Sequence, residues 1–330
     1  MMPAFRSRSV LSMADYDVFN GDADGICALH QLRLAEPRDA SLITGVKRDI
    51  ELVVQVSAAP GDRVTVLDVS LDRNRQALLD VLAAGAQVLY VDHHFAGEIP
   101  AAPNLEAVID TDAEVCTALL VNRRLQGRHL PWAVTAAYGD NLHDSAARAA
   151  APLDLAPQQL VLLEELGTYI NYNGYGSCIE DLFFHPADLY RRIRPYADPF
   201  AFIAEDAAWG VLRDGFADDM AHAQAAQPER TGAASALYIL PDAPWARRVS
   251  GVFANHLARD HPSRAHALLT ARPDGGFVVS VRAPLAERRG AAALCRQFQT
   301  GGGREAAAGI NHLPEAELER FAEAFHRTYG

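Results

Sequence analysis

Long apolar runs are missing from this 330-residue sequence. No stretch reaches the roughly 18 residues that a membrane-spanning helix needs, so no membrane partner is expected. The opening MMPAFRSRSVLSM carries basic residues but no apolar core behind them, which argues against a secretory signal. Cysteine is scarce. Cys27, Cys116, Cys178 and Cys295 stand far apart and form no CxxC pair. They read as reduced, mostly buried thiols in a cytoplasmic protein. Positive charge is in deficit: 30 Lys and Arg against 42 Asp and Glu leave a formal net charge of −12. A protein that tracks long duplex nucleic acid carries a basic face, so that partner is not expected. A short oligonucleotide held in a small pocket stays compatible with the charge.

What is present is an ordinary globular composition, 49% hydrophobic and 22% charged, at a length suited to two domains. Strand patterns at 15–20, 41–46, 64–69 and 87–91 alternate with helical patterns at 26–34 and 73–84, the second closed by Gly85. Near-continuous Val/Leu strands separated by helices predict an α/β fold, a parallel sheet with helices on both faces. Helices are expected at 112–124 with Asp112 as N-cap, at 131–138 and at 157–169, followed by a turn-rich NYNGYG at 171–176. A second, smaller α/β domain follows: a strand at 237–240, a helix at 245–259, a hairpin pairing 265–271 with 276–282, a glycine-rich turn at 301–303, and a helix from Glu315. The expected organisation is a flexible leader at 1–14, a first domain at 15–190, a linker region at 191–232 and a second domain at 233–330.

Acidic and histidine clusters recur where predicted strands end, the edge at which open parallel sheets bind ligands. Asn20, Asp22 and Asp24 lie in NGDADG. Asp68 ends the run VTVLD. Asp92, His93 and His94 end another strand, and Asp140 follows a helix in YGDN. A carboxylate at the end of an apolar strand is costly unless paired or bound to metal. Oxygen ligands with one imidazole suit Mn²⁺ or Mg²⁺. Two such ions sharing a carboxylate can activate water and stabilise the leaving oxygen of a phosphodiester. Lys47, Arg48 and Arg73 lie near strand ends and are read first as solvated surface.

The series NGDADG, VTVLD, VDHH and YGDN, in that order and spacing, resembles the DHH phosphoesterase superfamily. That family includes RecJ-like exonucleases, nanoRNA-degrading enzymes, cyclic-dinucleotide phosphodiesterases and family II pyrophosphatases. The resemblance covers about residues 15–190. Later, VSVR at 279–282, GGGR at 301–304 and AAG at 307–309 resemble the smaller DHHA1 domain. The resemblance implies Asp68 as a bridging metal ligand, with Asp22, His93 and Asp140 completing one site. His94 would contact the scissile phosphate or orient the attacking hydroxide. Asp92 would hold a ligand imidazole in its tautomer. Arg282, Gly301, Gly302, Gly303 and Arg304 would grip substrate.

Two departures bear on a second metal site. Many relatives have Asp where this chain has Asn20, and some have His where it has Tyr16. Asn20 offers a carbonyl oxygen without charge, which leaves the second site to bind weakly, to use Asp24 or to fill only with substrate. The usual GGGH also reads GGGR here. The implied activity is Mn²⁺-dependent hydrolysis, in a two-metal site, of short oligonucleotides or linear dinucleotides such as pGpG or pApA, with Mg²⁺ as the other candidate ion. Cyclic dinucleotides, pyrophosphate or another small phosphate ester, and non-catalytic nucleotide binding are the alternatives. Relatives often dimerise, so a homodimer is an expected partner state.

Overall fold

The computed structural model describes residues 13–330. The expected leader at 1–14 therefore lies, apart from its last two residues, outside the described residues. The chain divides into two compact units. The first runs up to Thr168 and takes in Pro186–Ala204; the second comprises Tyr169–His185 and Glu205–Gly330.

The first unit is built on five parallel strands, β1 (Asp15–Phe19), β2 (Ser41–Ile43), β3 (Arg63–Leu67), β4 (Gln87–Asp92) and β5 (Leu105–Ile109), in the order β2-β1-β3-β4-β5. Period-two alternation sorts their side chains. Val18, Val64, Val66, Val88 and Tyr90 form one core with Leu71, Leu78, Val81 and Leu82, the last four from α2 (Leu71–Ala83) after α1 (Ala23–Ala35). The other face carries Asp17 and Thr65, both bound by Arg33 of α1: Nε to Asp17 at 2.9 Å and Nη2 to Thr65 at 2.9 Å. A buried guanidinium with a carboxylate partner and a hydroxyl acceptor fixes the helix on the sheet. Helices α3 (Thr117–Arg124) and α4 (Leu130–Gly139) pack on α1. There follow α5 (His143–Ala150), α6 (Pro157–Gly174), α7 (Pro186–Ile193) and α8 (Pro199–Glu205). The parallel sheet covered on both faces is thus the architecture read from the sequence.

The second unit takes the end of α6 from Tyr169 and continues with α9 (Ala207–Ala225). Its six strands are β6 (Arg230–Thr231), β7 (Ser235–Leu240), β8 (Ala265–Ala271), β9 (Phe277–Arg282), β10 (Gly301–Gly303) and β11 (Ala307–Leu313), ordered β10-β11-β9-β8-β7-β6. Only the β7–β8 pair is parallel. Tyr238, Leu240 and Leu268 pack on one face with residues of α10 (Pro244–Asp260). Leu237, Leu269, Val281 and Ile310 pack on the other with α11 (Ala291–Cys295) and α12 (Leu318–Tyr329).

Several local expectations are corrected. The helix expected from 112 begins at Thr117, and the Asp112 side chain instead accepts the Glu114 N–H in a turn, at 2.8 Å. NYNG continues α6 to Gly174, because Asn173 bonds outside its helix, its amide donating to Phe184 O and accepting from Phe184 N. The glycine-rich segment 301–303 is an edge strand paired with β11, not a turn. β5 and α5 were not anticipated. The region 191–232 is largely helical, in α7, α8 and α9. Among the described residues, no helix is long and apolar enough to cross a membrane.

Candidate metal centre

All of the acidic and histidine residues singled out in the first domain meet at one place, beyond the C-terminal ends of β1, β3 and β4. Asp22 is the N-cap of α1, its Oδ1 accepting the Gly25 N–H at 3.0 Å. Asp24 lies in the first turn of that helix. Its two carboxylate oxygens accept the N–H groups of Thr117 and Ala118, each at 2.7 Å. These are orphan donors at the start of α3, whose own N-cap, Cys116, makes no side-chain bond. Asp24 therefore caps a helix more than 90 residues away. Thr117 also donates its hydroxyl to Asp68 Oδ1 at 3.2 Å.

Asp68 follows β3 with φ of 59°, a left-handed conformation uncommon for a residue with a side chain. Such outliers persist where the surroundings over-determine them, often at working sites. Its carboxyl is buried among acids. Burial first, then the charges of Asp24, Asp22, Asp140 and Asp92, push its pKa well above the usual carboxylate range.

The two histidines are fixed by different partners. His93 Nδ1 lies 2.8 Å from the Val115 carbonyl. That carbonyl can only accept, so Nδ1 carries the proton and Nε2 presents its lone pair to the acids. Nε2 stands 3.4 Å from Asp68, 3.9 Å from Asp24 and 3.9 Å from Asp140. His94 Nδ1 is 2.7 Å from Asp92 Oδ1. Asp92 thus holds His94, and a backbone carbonyl holds the His93 ring. Burial disfavours the charged form of His94, yet the hydrogen bond it donates to Asp92, together with the charges of Asp92, Asp140 and Asp24, outweighs burial and raises its pKa.

Sequence reasoning undervalued Lys47. Its ammonium lies against Asp22 and 3.8 Å from Asp140, so it is an inward-facing part of the cluster rather than solvated surface. Burial opposes the Asp22 charge, but the Lys47 ammonium overrides it and lowers the Asp22 pKa. Asp140 is pushed up to about 6, chiefly by burial, against the pull of Lys47. The signal available was position: Lys47 follows β2 on the same sheet edge as the acids. Thr117 and Val115 carried no comparable signal.

The donor chemistry fits a hard divalent cation. Asp68, His93 and His94 form one group, and Asp24, His93 and Asp140 another, with the ligand atoms of each group within 4.8 Å of one another. Both groups use His93. Two buried oxygens, Asn20 Oδ1 and Asp92 Oδ2, lack a hydrogen-bond partner. Buried polar atoms of that kind call for an explanation, an ion or ordered water among them.

No protein-family model matches this sequence, and neither does any curated protein. Solved structures do. One is exonuclease RecJ bound to manganese: TM-score 0.57, 18% identity, covering 96% of this chain and 90% of that one. The chain has the RecJ fold. RecJ from Thermus thermophilus in complex with Mn²⁺ gives TM-score 0.55 at 19% identity, over 95% of this chain and 51% of that one. The pGpG-specific phosphodiesterase PggH from Vibrio cholerae gives 0.52 at 14% identity, over 94% and 97%. The likeness to RecJ and PggH extends through both units rather than the first alone.

The expected substrate residues lie in the second unit. Arg282 is half-buried, its Nε donating to Asn255 Oδ1 at 2.7 Å. Arg304 is exposed, in the turn between β10 and β11. The three glycines differ. A Cβ on Gly301 would fall 1.7 Å from the Cys295 carbonyl oxygen, and one on Gly303 would fall 2.5 Å from Ala308 Cα. One on Gly302 would meet nothing within 4 Å. Packing therefore accounts for two of the three, and Gly302 faces open space.

Proposed function

We propose that the protein is a metal-dependent phosphodiesterase of the DHH type, which hydrolyses short oligonucleotides or linear dinucleotides to nucleoside monophosphates. Mn²⁺ is the working ion of this reading, with Mg²⁺ able to replace it. The observation that carries it is the His93 ring, locked by Val115 so that Nε2 faces Asp24, Asp68 and Asp140. An imidazole held in that tautomer among carboxylates is prepared to bind a metal ion. The names of two proteins with this fold, an exonuclease bound to manganese and a pGpG phosphodiesterase, support the class.

In this reading Asp22, Asp68, His93 and Asp140 hold the ion, and Asp24 lies beside it. A divalent cation there supplies Lewis acidity toward a phosphoryl oxygen and lowers the pKa of water. The chain's own groups do the rest. His94, oriented by Asp92 and partly exposed, donates a hydrogen bond to a phosphate oxygen. Water adds to phosphorus and gives up a proton, the P–O bond to the departing nucleoside oxygen breaks, and that oxygen takes a proton from solvent, so that one water is consumed and no net proton. Arg282 and Arg304 are assigned to phosphate or base recognition, with Gly302 allowing close approach. The charge of −12 agrees with a short substrate rather than a long polyanion.

The test is turnover with Mn²⁺ on linear dinucleotides, a five-nucleotide RNA, a cyclic dinucleotide and pyrophosphate. Monophosphates released from the linear substrates, and lost in Asp68→Ala, are expected. Binding of nucleotide without turnover of any substrate would reject the enzyme reading in favour of a binding module.

A further inference from the structure

We infer that the centre holds one divalent cation, and that the Lys47 ammonium supplies the second positive charge in the place between Asp22 and Asp140. The inference rests on the metal-centre reading above but concerns residues particular to this chain. Asp22, Asp24, Asp68, Asp92 and Asp140 converge on one small region, and buried charges persist only when paired or bound to metal. Lys47 is the ammonium the fold places among them, against Asp22 and 3.8 Å from Asp140.

The ligands that a second ion would need are turned to other uses. Tyr16 donates its hydroxyl to the Ser57 carbonyl at 3.0 Å and packs with the α2-side core. Each oxygen of Asp24 already accepts an N–H from the start of α3, which leaves Asp24 only its remaining lone pairs for a second ion and holds it in place as a helix cap. The two candidate ligand groups share His93, so the second group has no imidazole of its own.

Asn20 links the missing ligand to the replacement cation. Its Nδ2 donates to the Lys47 carbonyl oxygen at 3.2 Å. A carboxylate at that position has no proton to donate. The loop bearing Lys47 also lies directly on the NGD turn: a Cβ on Gly21 would fall 2.0 Å from the Gly45 carbonyl oxygen. The amide that removes a charged ligand thus fastens the loop that brings in the ammonium. Lysine is a compact point charge on a flexible stem, able to take up that place.

The experiment is Mn²⁺ binding to metal-depleted full-length protein, by titration calorimetry and by electron paramagnetic resonance, with turnover followed in parallel. Wild type is expected to bind one equivalent and to give the spectrum of an isolated Mn²⁺. The double variant Asn20→Asp/Lys47→Ala is expected to bind two, with the exchange-coupled spectrum of adjacent ions. Lys47→Met, which removes the ammonium and keeps Asn20, serves as a second variant and is expected still to bind one equivalent, since the charged ligand is not restored. Two equivalents with a coupled spectrum in active wild type would overturn this inference and leave the proposed function standing. One equivalent with no turnover of the substrate panel would leave the inference standing and refute the function. No Mn²⁺ bound at millimolar concentration would overturn both.

Discussion

Replacing Asp24 by Ala separates two roles that a carboxylate in an acidic cluster can have. If Asp24 serves only as a ligand, the metal-free protein gains from its removal, because Asp68 and Asp140 lose a repelling neighbour. The geometry predicts the reverse. Asp24 receives two short N–H bonds from the first residues of α3, and Cys116 offers that helix no substitute cap. Hydrogen bonds to a charged acceptor contribute about 1.5–3 kcal/mol each, and the orphaned donors would stay buried. Two such bonds amount to roughly 3–6 kcal/mol, and relief of repulsion offsets part of it, leaving about 2–4 kcal/mol of net destabilisation. For a unit of about 150–250 residues each kcal/mol shifts Tm by about 2–4 °C, so the fall is about 4–16 °C. The assay is thermal unfolding of Asp24→Ala and wild type, both metal-depleted. An unchanged or raised Tm would refute the capping role and return Asp24 to the status of a simple ligand. Asp24→Asn keeps one acceptor oxygen and is expected to fall between the two.

Other consequences are equally direct. Arg33→Ala strands the buried Asp17 carboxylate and is expected to cost about 3–5 kcal/mol, seen in denaturant unfolding of the first unit. His93→Ala is expected to abolish turnover while the circular dichroism spectrum stays unchanged; activity that persists would reject the assigned centre. Burial depresses the His30 pKa from 6.5 to about 4, so the folded state binds fewer protons than the unfolded chain between those values. Stability is then lost as pH falls from about 6.5 through 4, by about 3 kcal/mol in full, and His30→Gln is expected to flatten that part of the stability–pH curve. Gly301→Ala is expected to destabilise the second unit, whose backbone it strikes, whereas Gly302→Ala is expected to leave Tm unchanged and raise KM.

The sequence carried the sheet and the centre because both rest on short-range signals. Apolar runs ending in Asp68 or Asp92-His93-His94 mark the strands and the edge where the acids gather at once, and the parallel sheet follows from their alternation with helices. β5 was missed although LEAVI matches β3 in length and is apolar at four of its five positions; Glu106 interrupts the run, and the strand is mostly half-exposed at the edge of the sheet. The start of α3 was misplaced for a physical reason: its cap is Asp24, far away in the chain, while the nearby Asp112 forms only a local turn. NYNG looked like a turn because Asn and Gly favour turns, yet Asn173 satisfies itself on Phe184 and lets the helix run on. Lys47 was legible as a position but not as a partner, since nothing local tells a solvated lysine from one drawn into a pocket of acids.

The centre's electrostatics follow from where the fold spends its own positive charge. Lys47 answers Asp22 and reaches toward Asp140. The start of α3, with its partial positive charge, answers Asp24, and the Thr117 hydroxyl touches Asp68. His94 answers Asp92. Asp68 is the acid left with the least compensation: a hydroxyl at 3.2 Å, the His93 ring at 3.4 Å, and a pKa driven well upward by burial and then by its acidic neighbours. A cation that binds here must therefore displace a proton from Asp68 and, to a smaller extent, from Asp140, which burial raises to about 6. Metal uptake should accordingly release protons, and Asp68→Asn should remove most of that release while leaving the Lys47–Asp22 pair in place. Calorimetric titration of Mn²⁺ in two buffers of different ionisation enthalpy reads the proton count. An equal release in wild type and Asp68→Asn would place the exchangeable proton elsewhere and break the link between this residue and the ion.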